Sequence, residues 1–124
     1  MLVIRNPQMR AFEEAAFAEW LMRHLHRHFP QQCQAMGPAR LQQHVEASLE
    51  RARSFGFDRP ADLCRFVDLT MTFGADFAHD AALPWAAELL SAADIPDPGT
   101  RMDLLVAAAA RHLNAHAEDP LGER

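Results

Sequence analysis

Histidine supplies the first spacing that could carry chemistry. His24 and His28 lie four residues apart, and so do His112 and His116. On a helix each pair shares one face, and two such faces could clamp a transition metal. Neither pair has beside its first histidine the glutamate that a zinc-protease helix carries. The run His24-Leu25-His26-Arg27-His28 also follows Arg23, and cations near a helix C-terminus offset its dipole. Solvated, dipole-compensating histidines are the simpler reading, with a metal site or a pH-responsive surface as alternatives. No metal is expected.

The other reactive side chains fall in no recognised arrangement. Asp76, Asp80, Asp94 and Asp97 lack the spacing of a calcium loop. Ser48, Ser54 and Ser91 occupy no nucleophile elbow, and no glycine-rich phosphate loop is present. Cys33 and Cys64 stand far apart and match no metal or redox spacing, so both are expected as reduced, half-buried thiols. Asp62, Asp68 and Asp103 read as helix-surface charges. No catalytic residue is assigned, no enzyme activity is expected, and no cofactor is implied.

Five helices position these residues. Asn6 then Pro7 is a cap followed by a first-turn proline, and the helix they open runs to about His28. Phe17, Leu21, Leu25 and Phe29 form one apolar row, and Met9, Phe12, Ala16 and Trp20 a neighbouring one. Gln31 to Gly37 reads as a connector. Pro38 opens a second helix carrying Leu41, Val45, Leu49 and Ala52, and Gly56 closes it. Asp58 caps a third, with Pro60 in its first turn and Leu63, Phe66, Val67, Thr70 and Phe73 on its apolar face. A fourth spans Pro84 to Ala93. Ile95-Pro96-Asp97-Pro98-Gly99 reads as a stiff turn, and Thr100 to Asp103 resembles a capping box that opens a fifth helix ending near His116. The expected fold is all-α, a compact bundle of about five helices with short connectors. Residues 1–117 read as one helical domain and 118–124 as a polar tail. The opening Leu2-Val3-Ile4 reads as packing on the first helix, or as a strand that adds to a partner's sheet edge.

The stretch from Phe73 to Trp85 organises the rest. Gly74 reads as a left-handed helix stop, Pro84 as a first-turn proline, and Trp85 as a plug between helices. These three are assigned structural roles. A packed interhelical corner is one reading. A binding loop that displays Asp76, His79 and Asp80 is the other. If the loop binds a partner, Asp76, Phe77, Asp80 and Leu83 are its candidate contacts, although Phe77 and Leu83 would serve equally as core.

Composition narrows the partners. The 124 residues carry a net charge of −5, with 49% apolar and 23% charged residues. That balance supports a real core and argues against nucleic acid or an anionic membrane surface as partner. The N-terminal apolar run is too short for a signal peptide, and Leu104 to Ala110 is far below a membrane span. A cytoplasmic location is expected. A small acidic helical domain without a catalytic set suits a protein-binding module. Its oligomeric state is left open.

Three local patterns then combine. They are Ile4 to Phe12; Glu50 to Phe57 leading into Asp62 to Leu69; and Met71 to Phe77 followed by Leu83-Pro84-Trp85-Ala86. Together, in order and over most of residues 4–113, they resemble short bacterial helical proteins encoded beside toxin, PAAR-type tip and spike genes of type VI secretion clusters. Phe-Gly-x-Asp-Phe followed by Leu-Pro-Trp is the most specific part. Where similar proteins tend to carry an aspartate-rich run after Phe-Gly, this chain has Ala78-His79. The resemblance implies a cytoplasmic accessory to effector loading, such as a chaperone, co-chaperone or adaptor. Its partner would be an effector, an effector chaperone or a spike component. An immunity protein that neutralises a cognate toxin, or a structural subunit of a larger complex, is the alternative.

Overall fold

The computed structural model describes the backbone of residues 7–117 and the side chains of residues 13–116. The expectations for Leu2 to Asn6 and for the tail from Glu118 lie outside the described residues, as do those for the side chains of Met9 and Phe12. The described chain is all-α. Its helices are α1 Pro7–His28, α2 Pro30–Ser54, α3 Pro60–Phe73, α4 Pro84–Leu90 and α5 Pro98–Ala117, with a 3₁₀ turn at Phe77–His79. Each begins at a proline, whose fixed φ suits the first turn and whose missing N–H is not needed there.

Two helix starts differ from expectation. The segment read as a connector, Gln31 to Gly37, is helical. Phe29 N–H donates to Leu25 O at 2.7 Å and Cys33 N–H to Phe29 O at 3.0 Å, so the helical ladder runs almost unbroken past Pro30. The real interruption is Gly37 (φ 79°, ψ 162°), which kinks α2 just before Pro38. Further on, α5 starts inside the expected turn. Asp97 Oδ2 accepts from both the N–H of Thr100 at 2.9 Å and its hydroxyl at 2.8 Å. Asp97 is therefore the cap, and those bonds hold its carboxyl below the usual range. Asp103, expected to close a capping box, instead pairs with Arg65 at 2.8 Å.

The N-cap of α3 is Arg59, not Asp58. Arg59 reaches one turn forward to Asp62, with Nε and Nη2 both 3.0 Å from Oδ2. Asp62 is buried, which corrects its reading as a surface charge. A carboxylate can be buried in the first turn because the guanidinium and the helix dipole both favour its charge. The same guanidinium lies against Gly99, where an added Cβ would collide with it.

The structure divides into two compact units between Gln43 and His44. In the first, Leu21, Leu25, Cys33 and Leu41 are buried. In the second, α3 and α4 both pack on α5 and on the 3₁₀ turn. Phe66 is the hub of the second unit: its ring centroid lies 6.1 Å from Phe55, 6.2 Å from Phe57 and 5.3 Å from Phe77. The end of α2 closes in a Schellman motif, with Gly56 N–H on Arg53 O at 2.9 Å and Phe57 N–H on Ala52 O at 3.1 Å.

Arg101 of α5 ties this unit together. Its Nη2 donates to Phe55 O, at the end of α2, at 2.9 Å, and its Nη1 to Leu90 O, at the end of α4, at 3.1 Å. Its carbon centre sits 5.3 Å from the Phe57 ring centroid. Arg101→Met should therefore destabilise the protein by about 2–3 kcal/mol in chemical denaturation, because two carbonyls lose donors at helix ends. Arg101→Lys should recover less than half of that, since one ammonium lacks the fork that spans both carbonyls.

Candidate functional site

The strongest sequence candidate was the chain between α3 and α4, and local hydrogen bonds explain its path. Gly74 N–H caps Thr70 O at 2.9 Å and ends α3. The Gly74 backbone (φ 109°, ψ 158°) is one that only glycine enters without strain, although it is not the left-handed helical stop expected from sequence. Phe77 N–H then donates to Gly74 O at 3.1 Å, His79 N–H to Asp76 O at 2.9 Å and Leu83 N–H to Asp80 O at 2.9 Å. Asp80 Oδ1 accepts from Ala82 N–H at 2.9 Å, an Asx turn. Arg51 of α2 donates to the Ala75 carbonyl.

These bonds divide the four candidate contacts. Asp76 and Asp80 are exposed, whereas Phe77 (1% exposed) and Leu83 (4%) are core. That corrects the assignment of Phe77 and Leu83 to a partner surface. The 3₁₀ turn rotates Phe77 onto Phe66, and Leu83 enters the core one residue before Pro84. Of the two polar candidates, Asp80 already serves its own turn. Asp76 and His79 are displayed on the outside.

Trp85 occupies the expected junction. Phe73 of α3 meets it edge-on at 5.5 Å, and His112 of α5 lies 5.7 Å from Phe73 and 5.9 Å from Trp85. His116 continues the cluster at 4.3 Å from His112. His112 is half-buried between two rings, which corrects its reading as solvated. The corner contains an anomaly, because Trp85 Nε1 is buried with no acceptor among the described residues. The other histidine pair, His24 and His28, is likewise in ring contact, tilted at 4.5 Å.

Sequence reasoning missed a polar network between α2 and α3. Thr70 Oγ1 donates to Val67 O at 2.6 Å, which commits its only proton. It therefore accepts from His44 Nε2 at 2.9 Å and from Ser48 Oγ at 3.4 Å. The neutral His44 ring accordingly carries its proton on Nε2. Burial, aided by Arg51, lowers the His44 pKa from its ordinary value. His44 and Ser48 share one face of α2, but nothing in the sequence names Thr70 as their partner. Both cysteines are free and buried, deeper than expected. Burial pushes the Cys33 thiol up. Burial and Asp68 take the Cys64 thiol to about 11, against the opposing effect of Arg65. Neither is an activated nucleophile. These arrangements are structural, and they brace a corner and a helix pair.

Trp85→Ala should cost about 2–3 kcal/mol, less than for a fully buried tryptophan. Trp85→Phe should stay within about 1 kcal/mol of the parent, because it also removes the unsatisfied N–H. Thermal melts of both variants check this. The His44 shift has a defined sign. Since folding depresses its pKa below 6.5, its contribution to stability is complete above that value and is lost as pH falls through the folded pKa. Melting temperature should therefore drop more steeply between about pH 7 and pH 5 for the parent than for His44→Gln, which keeps a neutral donor. The chain matches no protein-family model, no curated protein and no solved structure.

Proposed function

We propose that this chain is a non-catalytic, protein-binding accessory of type VI secretion, a cytoplasmic chaperone, co-chaperone or adaptor for effector loading. The structural observation that supports protein binding is the outer side of α5. There Val106 and Leu113 are 38% and 47% exposed. Val106, Ala110 and Leu113 follow the i, i+4, i+7 spacing of one stripe, alongside the buried Met102 and Ala109. The apolar arc of α5 is thus wider than the part it buries. Exposed apolar stripes can mark interaction sites, and helix faces with such spacing dock into partner grooves. The link to effector loading rests on the ordered sequence resemblance.

No helix of the described residues is long and apolar enough to cross a membrane, in keeping with a partner met in solution. The net charge of −5 disfavours nucleic acid. Asp76 and His79, exposed between α3 and α4, supply a second, polar contact in this reading.

Affinity purification of the tagged chain with the products of neighbouring genes tests the proposal. An effector, an effector chaperone or a spike component should be retained, and deletion should impair effector delivery. The double variant Val106→Glu, Leu113→Glu should weaken retention at least about tenfold while leaving the far-ultraviolet spectrum unchanged, since buried apolar anchors dominate such interfaces. Asp76→Lys should weaken it less. Normal delivery without the protein, combined with neutralisation of a toxin by it, would assign an immunity role instead.

A further inference from the structure

α1 carries an aromatic ladder in which Trp20 and His28 are exposed and Phe17 and His24 are half-buried. Phe17 stacks on Trp20 at 6.2 Å and Trp20 on His24 at 5.2 Å, and His24 meets His28 at a tilt, 4.5 Å away. The ladder is nearly parallel-planed through its first two steps, at 18° each. Trp20 is 46% exposed. Tryptophan is the residue most enriched among binding hot spots, and here its ring is held in place by a neighbour on each side.

The charges around the ladder identify what fits it. Apart from Arg10 near its start, the half of α1 before Trp20 carries only acidic charges, Glu13, Glu14 and Glu19, and the half after it only basic ones, Arg23 and Arg27. Glu13 and Arg27 are both exposed and stand two turns before and two turns after Trp20, close to the ladder face. A second α1 laid antiparallel across Trp20 matches this pattern. Trp20 then meets its own counterpart on a two-fold axis, and Glu13 of each copy faces Arg27 of the other. Phe17 comes opposite Arg23 and His24, where a guanidinium over a ring is favourable. An isologous interface needs a surface that is self-complementary under such an axis, and α1 has one.

We infer that the chain forms a homodimer through antiparallel pairing of α1 about Trp20. This goes beyond the proposed accessory role and does not depend on it. Sedimentation of the full, tag-free chain from about 1 to 200 µM tests it, a range that brackets a micromolar dissociation constant. The parent should sediment as a dimer in the upper part of that range. Glu13→Arg and Arg27→Glu should each raise the dimer dissociation constant at least about tenfold, because each places like charges at two symmetric contacts. An equimolar mixture of the two variants should restore a heterodimer within about threefold of parental affinity, since both contacts become complementary again. Trp20→Ala should be monomeric with an unchanged helical spectrum. If that variant misfolds, the charge-reversed pair still decides. A parent that stays monomeric throughout, including one whose α1 binds a different protein, overturns the inference. So do single variants that dimerise like the parent, or a mixture that fails to recover.

Discussion

A single guanidinium sets the geometry of the larger unit. Helix C-termini leave carbonyls without partners and carry the negative end of the dipole. Arg101 supplies donors to one such terminus at Phe55 and to another at Leu90, while its flat face rests over Phe57. It has no carboxylate to neutralise it in these contacts. Two helix ends take that role, and its buried Nε is left without an acceptor among the described residues. Because an added Cβ at Gly56 would stand 3.1 Å from Nη2, the Schellman turn and the arginine fit each other as a pair. The register of α5 against the ends of α2 and α4 follows from that fit.

Two aromatic–imidazole clusters use the same residue types to opposite ends. Phe17, Trp20, His24 and His28 come from one helix, so their rings can only line its side. Phe73, Trp85, His112 and His116 are drawn from α3, α4 and α5, and there the rings close a corner. The first arrangement keeps a tryptophan partly in water. The second buries an indole N–H without a partner, a cost accepted for packing. Between them they show why a residue's type says little about its exposure until its neighbours are known.

The helix starts and stops were legible because proline and glycine act locally. Pro7, Pro60 and Pro84 open helices where expected, and Gly74 requires its glycine. Misreadings arose where local signals had two meanings. Pro30 could end one helix or begin the next, and the i→i−4 bonds on either side of it show that it does both. Asp97 looked like part of a turn because Pro98 and Gly99 follow it, yet these two residues form the first turn of α5. The buried state of Asp62 depends on Arg59, three residues earlier, and is readable only in retrospect. Arg101 and Thr70 gave no signal, since their partners lie far away in sequence. Phe77 and Leu83 could be core or surface by composition, and only the 3₁₀ turn decides between these.

The proline at every helix start has a consequence for the chain before it folds. Pro7, Pro30, Pro60, Pro84 and Pro98 open the five helices, and Pro38 resumes α2 after its kink. Each ring holds its φ near the helical value in the denatured ensemble as well, so fewer conformations are lost at those sites on ordering. The six sites are spread along the whole chain, and the benefit falls on first turns, where helix nucleation is most unfavourable. Part of the element boundary pattern is thus written into the disordered chain, independently of any tertiary contact.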